Sequence, residues 1–303
     1  MNAEESKKEQ MVLSWNTMAD FYDRTLAENS LQASVMLFAA VRARDAKSIC
    51  EVGVGPGLSS MIFISAYMQN GAQYYNSDFS EKMIEIFAKK YAQSEFANSS
   101  EVKYENLPQS SNIEVSTPEE GTVKKVYSTV ADNEALPYSD DAFDCYLANL
   151  SLMLVNDPNK MLSEAYRVTQ KGGTLGFTVI GNPEKQVMWT VIFDAFKEIG
   201  VKTDEKNKPP THLGDKEVLK EKLEVAGLTV KKLFYTTSNF FMNVEEAFAF
   251  SIMTHLFKNL YEALSEEKAT KLKEIFTRIW HERFGDDSLT PTSAEFLVAI
   301  AEK

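Results

Sequence analysis

Few cysteines and few histidines are present in the chain. Its 303 residues include Cys50, Cys145 and three scattered histidines, with no CxxC or HxxxH pair. Both cysteines lie in apolar runs typical of strands, where a thiol is usually a small buried hydrophobe. The sequence thus offers neither a disulfide framework nor the ligand spacing of a zinc site, and we expect a reduced protein without a bound metal.

Positive charge and long apolar runs are also scarce. Lys and Arg number 32 against 44 Asp and Glu, so the net charge is −12. Because nucleic-acid binding depends on clustered cations, this balance argues against nucleic acid as a partner. The start, MNAEESKKEQ, lacks the apolar core of a signal peptide, and no apolar run reaches the length of a membrane span. We expect a cytoplasmic protein without an integral membrane segment.

Apolar runs alternate with amphipathic segments along the chain, which is typical of a doubly wound α/β sheet. Seven runs predict strands: 48–54, 72–77, 123–130, 142–150, 174–181, 228–237 and 294–303. Helices are predicted between them, including 57–70, a helix that begins after the N-cap Ser80, and one at 159–168 that ends at TQKGG. The polar residues 97–122 predict a surface insertion of low order.

A glycine-rich turn follows the first predicted strand. In ICEVGVGPGLSS, residues 49–60, the glycines form GxGxG, and Leu58 stands where the dinucleotide fingerprint has its third glycine. Asp78 ends the second strand and lies 21 residues after Gly57, where a carboxylate can bind ribose hydroxyls. A dinucleotide and S-adenosylmethionine both carry that ribose, so these two motifs leave both ligands open.

A third motif distinguishes between the two ligands. The segment VADNEALPYSDDAFDCYLANL, with EVGVGPG before it and EAYRVTQKGGTLGFTVIG after it, resembles the class I S-adenosylmethionine-dependent methyltransferases. Within them it is most similar to the small-molecule branch of the ubiquinone and menaquinone methyltransferases, the type 11 group. The resemblance covers about residues 12–182. It implies a Rossmann-like, mostly parallel seven-stranded sheet with an antiparallel last strand and a helical cap.

The resemblance also implies a division of the chain and a set of cofactor-binding residues. Residues 1–45 would be an N-terminal helical lid, 46–238 the cofactor domain, 239–287 a helical cap on the acceptor side, and 288–303 the final strand. The residues expected at S-adenosylmethionine are Glu51, Gly53, Gly55, Gly57, Asp78, Asp132, Asn133 and Asn149.

Individual roles follow from the same resemblance. Glu51 and the glycines would line the methionine and ribose portion, and Asp78 would hold the ribose hydroxyls. Asp132 would accept a hydrogen bond from the adenine amino group, with the Asn133 backbone at the ring. Asn149 would face the methionine portion or the methyl acceptor.

Aromatic residues outside the sheet are candidates for the acceptor pocket. Trp15, Phe21 and Tyr22 lie in a segment similar to the family's first helix, which covers the cofactor. The aromatic-rich block 234–257, which includes Phe241, is either a second wall of the pocket or simply core. The sequence leaves these two interpretations open.

Methyl transfer needs a general base only when the nucleophile must lose a proton, so the sequence identifies no catalytic residue with certainty. His212, His255 and Tyr22 are the candidates. The expected function is methyl transfer from S-adenosylmethionine to a small apolar or aromatic metabolite, with S-adenosylhomocysteine as product. A non-catalytic S-adenosylmethionine-binding module and a nicotinamide oxidoreductase are the alternatives. The oligomeric state stays open, with a homodimer among the choices.

Overall fold

The computed structural model describes residues 3–110, 112–118, 121–204, 210–254, 256–285 and 290–303. The chain divides into two compact units. The first contains residues 1–179, 216–234 and 297–303, and the second contains residues 180–215 and 235–296.

Eight strands form one sheet. They are β1 (Ser48–Val52), β2 (Gln73–Asp78), β3 (Val102–Asn106), β4 (Lys124–Val130), β5 (Phe143–Asn149), β6 (Thr169–Ile180), β7 (Thr229–Met242) and β8 (Thr290–Glu302). Their order is β3-β4-β2-β1-β5-β6-β8-β7, and the pairs from β3 to β6 are parallel. The predicted doubly wound α/β sheet is confirmed.

The last strand runs against its neighbour, as predicted. The N–H of Gly172 donates to the carbonyl of Lys303 (2.9 Å), and the N–H of Gly181 donates to that of Glu295 (2.8 Å). Numbers that rise along β6 therefore meet numbers that fall along β8, which is the antiparallel pattern. The helix before TQKGG ends at Val168, as predicted, but the two glycines lie in β6 and not in C-terminal capping positions.

The strand count of seven was also wrong, because β3 lies inside the segment predicted to be of low order. Its side chains are mostly exposed, as expected at a sheet edge, so its composition resembles that of a loop. Tyr104 supplies the packing, since its ring stacks on that of Tyr91 with the centroids 4.6 Å apart. Val102 is buried as well, so only two of the five residues pack inward and the strand has no apolar pattern.

The helices connect and cover the strands. They are α1 (Ala3–Thr25), α2 (Ala27–Ala40), α3 (Leu58–Ile62), α4 (Glu81–Gln93), α5 (Pro158–Val168), α6 (Val187–Glu198), α7 (Lys216–Val225), α8 (Val244–Met253), α9 (Lys258–Glu262) and α10 (Glu266–Phe284). The predicted cap of α4 is confirmed, because Ser80 Oγ accepts from the N–H of Met83 (3.2 Å). The helix predicted at 57–70 is shorter, with a π-helical turn at Phe63–Tyr67 after α3.

The core of the first unit joins the sheet to the flanking helices. Its buried residues come from α2, the π-helical turn, α4 and the strands, and the largest include Phe38, Phe63, Tyr74 and Phe87. Cys50 and Cys145 are buried free thiols, as predicted, and burial raises the pKa of Cys50 well above its usual value. Both thiols are therefore packing residues.

The second unit has an aromatic core of its own. Phe257 is fully buried, stacks on Phe196 with ring centroids 5.6 Å apart, and meets Phe193 edge-on. Phe248 is likewise buried and packs edge-on against Phe276. For these two phenylalanines of the 234–257 block, the core interpretation is the one that fits. Helix α6 supplies part of this core, and the sequence pattern did not predict it.

Candidate functional site

The loop after β1 places three glycines at positive φ. The φ angles are 64° at Gly53, 61° at Gly55 and 83° at Gly57. A Cβ on Gly53 would lie 2.7 Å from the Cβ of Ser151, and one on Gly57 would lie 2.2 Å from Cδ2 of Phe87. Residues with side chains rarely adopt this conformation, and here they would also clash. The loop therefore needs glycine for both its conformation and its space.

Asp78 holds this loop from the end of β2. Its Oδ2 accepts from the N–H of Gly55 (2.8 Å), and its Oδ1 accepts from the N–H of Ser80 (2.8 Å). Burial raises the pKa of the Asp78 carboxyl to about 6, and the backbone hydrogen bonds oppose that rise. Each carboxylate oxygen can accept more than one hydrogen bond, so Asp78 retains acceptor capacity toward the adjoining cavity.

Two further carboxylates lie in the loop after β4. Asp132 Oδ2 accepts from Lys8 Nζ (2.6 Å), and Asp132 Oδ1 accepts from the N–H of Glu134 (2.9 Å). Glu134 is almost fully buried, and its Oε1 accepts from the N–H groups of Asn156 (2.7 Å) and Asp157 (3.1 Å). Its Oε2 lies 3.3 Å from Lys8 Nζ. One lysine of α1 thus faces two carboxylates.

The end of β5 contributes a polar group and an unusual backbone. Thr178 Oγ1 donates to Asn149 Oδ1 (2.5 Å) and accepts from the N–H of Leu150 (2.9 Å). Leu150 has a φ of 51°, a left-handed conformation that is uncommon for a residue with a side chain. Such strain is often found at binding sites, where the surrounding contacts maintain it.

These loops surround a cleft at the carboxyl ends of β1, β2, β4 and β5. Helix α1 forms one wall with Lys8, Met11, Trp15 and Tyr22, which fall on one helical stripe. Apolar side chains form much of the remaining lining: Phe79, Met83, Leu150, Leu154 and Val155. Mostly apolar walls with a few converging polar groups are typical of small-molecule sites.

Several buried polar atoms of the cleft have no hydrogen-bond partner. They are Asn133 Oδ1, Ser151 Oγ and Asn156 Oδ1, besides Glu134 Oε2, which lies 3.3 Å from Lys8 Nζ. An unpaired buried polar group is costly, and native proteins seldom leave one without a purpose. These three atoms give the cleft hydrogen-bonding capacity that a ligand can use.

A smaller cavity adjoins the cleft, and the two share Tyr22, Gly53, Gly55 and Asn149. Glu51 lines the smaller cavity and is only 2% exposed. It accepts a short hydrogen bond from the hydroxyl of Tyr74. Burial raises the pKa of the Glu51 carboxyl to about 7, and the tyrosine hydrogen bond opposes that rise.

The two cavities bring together most of the residues singled out from the sequence. The cleft is lined by Trp15, Tyr22, Gly53, Gly55, Asp78, Asp132, Asn133 and Asn149. Gly57 and Phe21 line neither cavity, and Gly57 instead precedes α3 against Phe87.

The remaining candidates lie elsewhere in the chain. His212 and Phe241 belong to the second unit, where both are exposed. His255 lies outside the described residues.

The sequence did not predict some of the lining residues: Lys8, Met11, Glu134, Ser151 and Asn156. The helical stripe of α1 was a usable signal, because residues 8, 11, 15 and 22 recur at helical spacing. Nothing in the sequence pairs Lys8 with Asp132, which lies 124 residues away.

Neither a membrane span nor a metal cluster is present in the part of the chain that the structure describes. No helix there is both long and apolar enough to cross a bilayer. Across those same residues, no three His, Cys, Asp or Glu side chains gather as metal ligands would.

Residues 50–177 match the family described as "Methyltransferase domain". The chain is 35% identical over 77 residues to a ubiquinone/menaquinone biosynthesis C-methyltransferase, UbiE, of Marinomonas sp., covering 25% of this chain and 30% of that protein. It is 28% identical over 144 residues to a demethylmenaquinone methyltransferase of Streptomyces avermitilis, covering 48% and 47%. The chain therefore matches less than half the length of either relative.

Solved structures share the fold. The BH2331 protein of Bacillus halodurans superposes with a TM-score of 0.53 and 17% identity, and the match covers 90% of this chain and 99% of that protein. At that identity the likeness concerns the fold alone.

Proposed function

We propose that the chain moves a methyl group from S-adenosylmethionine to a small organic acceptor, and the match of residues 50–177 to the methyltransferase-domain family supports this. The observation that carries the proposal is the meeting of the glycine turn, Asp78, Asp132 and Asn149 in one cleft. Each stands at the carboxyl end of a different parallel strand, where ligands bind in open α/β sheets.

The residues of the cleft fit this cofactor. Asp78 can accept hydrogen bonds from ribose hydroxyls while it holds the Gly55 N–H. Asp132 is the acceptor available to an adenine amino group. The unpartnered Asn133 Oδ1 and Ser151 Oγ belong to lining residues of the cleft, and Ser151 packs against the Cα of Gly53, where a side chain would clash. An adenosyl group carries hydroxyl and amino donors that can form hydrogen bonds with these acceptors.

The smaller cavity suits the amino-acid end of the cofactor. Its polar lining includes Ser30, Ser34, Ser59 and Glu51. A buried carboxylate is costly without a positive partner, and an α-ammonium group supplies one. We therefore assign Glu51 to the methionine portion, and we expect its pKa to fall when a cation binds beside it.

The bound cofactor supplies an electrophilic methyl group on a sulfonium centre. The chain's own residues align the reactants and exclude water, which is most of what an in-line displacement requires. Met11, Trp15 and Leu154 provide apolar cover. Burial raises the pKa of Tyr22, so its phenol stays neutral at physiological pH and can donate a hydrogen bond but does not act as a ready base.

The lining also suggests the kind of acceptor. The cleft combines apolar and aromatic side chains with three carboxylates, Asp78, Asp132 and Glu134, against the single lysine Lys8 among the described lining residues. This balance disfavours an anionic acceptor and favours a neutral or cationic one with an apolar body. The names of the relatives, which refer to ubiquinone and menaquinone biosynthesis, are in keeping with an aromatic acceptor.

Titration calorimetry tests the cofactor assignment. S-adenosylmethionine, S-adenosylhomocysteine and NADH are titrated into the full chain and into Asp78→Ala and Asp132→Ala. We expect micromolar binding of the first two and about tenfold or greater weakening in both variants, as for lost hydrogen bonds to a charged group. Asp45→Asn is the matched control, since Asp45 pairs with Arg42 on the surface and is 60% exposed.

Two results would contradict the proposal. Binding of NADH alone would mean that the glycine turn binds a dinucleotide. If none of the three ligands binds, the cleft is not an adenosyl site. Formation of S-adenosylhomocysteine with a panel of aromatic and amine acceptors then tests turnover. Tight binding without turnover on any acceptor would favour the non-catalytic binding module.

A further inference from the structure

Helix α1 is attached to the first unit at two separate places. Toward its end, Asn16 Oδ1 accepts from Ser80 Oγ (2.6 Å), and Asp23 forms an ion pair with Lys90. Ala19 is buried against Met83 of α4, which makes this half of the helix part of a small apolar cluster. Residues 15–23 are therefore anchored on α4 by both apolar and polar contacts.

The first half of α1 is held differently. Lys8 reaches Asp132 Oδ2 at 2.6 Å and Glu134 Oε2 at 3.3 Å, both in the loop after β4. The side chain of Lys8 is 28% exposed and that of Asp132 is 30% exposed, so water can compete for this contact. Between the two attachments, Met11 and Trp15 face the cleft.

Lys8 also resolves an electrostatic problem in the loop after β4. The side chain of Glu134 is only 3% exposed, and its Oε2 makes no hydrogen bond. Its Oε1 is already bonded to the backbone at Asn156 and Asp157. A buried carboxylate oxygen without a partner is strongly unfavourable, so the charge of Lys8 is what α1 contributes to this loop.

We propose that Lys8 is a positioning residue that fastens the first half of α1 over the cofactor cleft, so that a ligand enters and leaves when the ion pair of Lys8 with Asp132 and Glu134 breaks. The role rests on the proposed function, because the ligand concerned is the cofactor. It assigns to one lysine the control of ligand exchange, whereas the carboxylates and glycines of the sheet provide the binding energy.

The proposal makes separate predictions for the free protein and for ligand exchange. In Lys8→Met without any ligand, amide hydrogen exchange should accelerate in peptides from residues 3–14 and stay unchanged in peptides from residues 15–25. For S-adenosylhomocysteine measured by surface plasmon resonance, association and dissociation should both accelerate about tenfold, with a smaller change in the ratio of the two rates. Higher ionic strength should accelerate both rates in the wild-type chain and leave them unchanged in Lys8→Met.

Matched variants separate this role from a merely structural one. Lys8→Arg keeps the charge and should restore slow exchange and slow rates. Lys220→Met removes an exposed lysine that faces Glu224 on α7 and should change nothing. Glu134→Gln keeps an acceptor for the Asn156 N–H but removes the charge, and it should loosen the first half of α1 as Lys8→Met does.

Two outcomes would overturn the proposal: unchanged exchange of residues 3–14 in Lys8→Met, or unchanged ligand rates in that variant. A failure of the proposed function looks different. If S-adenosylhomocysteine binds to none of the variants while residues 3–14 still loosen in Lys8→Met, the fastening of α1 stands and the cofactor assignment falls.

Discussion

The most direct test of the packing around the glycine turn is Gly57→Ala. The substitution places a side chain at a φ of 83°, where the left-handed conformation costs about 1 kcal/mol. It also forces the new Cβ to 2.2 Å from Cδ2 of Phe87, which is fully buried. Overpacking of this kind costs about 2 kcal/mol. We therefore expect a loss of about 3 kcal/mol in the free energy of unfolding.

Gly172→Ala provides the matched comparison. Gly172 has a φ of 80°, nearly that of Gly57, but its added Cβ would meet no atom within 4 Å. This variant should lose only the conformational part, about 1 kcal/mol. Urea unfolding of both variants, followed by circular dichroism, measures the difference, which isolates the clash with Phe87. Equal losses in the two variants would refute the steric argument.

A double variant sharpens the same test. Phe87→Leu shortens the side chain that the new Cβ meets, so Gly57→Ala should cost less on that background, with a coupling of about 1 kcal/mol. Because Gly57 lines neither cavity, S-adenosylhomocysteine should bind to the folded Gly57→Ala chain within about threefold of its wild-type affinity. A larger loss would mean that Gly57 contacts the ligand, as the family resemblance implies.

Three further perturbations are informative. Burial raises the pKa of Glu51 from 4.5 to about 7, so the free energy of unfolding is highest below pH 4.5 and falls by about 3 kcal/mol as the pH rises through 7. Denaturation across that pH range should find no such fall in Glu51→Gln. The pKa of Asp78 is about 6 and that of Glu51 about 7, so affinity for S-adenosylhomocysteine should weaken as the pH falls through both values, and calorimetry of Asp78→Asn should lose the part near pH 6 and keep the part near pH 7. Arg167 binds Glu164, Asp140 and the carbonyls of Leu136 and Tyr138, so Arg167→Met should lower the free energy of unfolding by about 2 kcal/mol. Arg278 is more exposed, and Arg278→Met should have no measurable effect in the same urea unfolding experiment. Equal losses in the two variants would contradict this account.

The sequence predicted most of the cleft because its parts are local patterns at equivalent places. Gly53, Asp78, Asp132 and Asn149 each follow a parallel strand, and parallel strands end at the same edge of a sheet. Topology alone therefore brings them together. Their individual roles toward the cofactor stay predictions until ligand binding is measured.

The parts that could not be predicted depend on contacts between distant segments. Lys8 is an ordinary helical lysine in sequence, and only the path of α1 brings it to Asp132. The edge strand β3 lacks an apolar pattern, because only Val102 and Tyr104 of its five residues pack inward. The phenylalanines Phe248 and Phe257 fitted a pocket wall and a core equally well until their aromatic neighbours were known.

The position of β8 between β6 and β7 has a consequence for synthesis on the ribosome. Strand β7 leaves the ribosome before α8, α9 and α10, and its neighbour β8 follows only after them. During that interval β6 has an open edge and β7 has no partner in the sheet. Open edges of this kind recruit other strands. A nascent chain that stalls before β8 would therefore be prone to aggregation and would need chaperone protection until translation resumes.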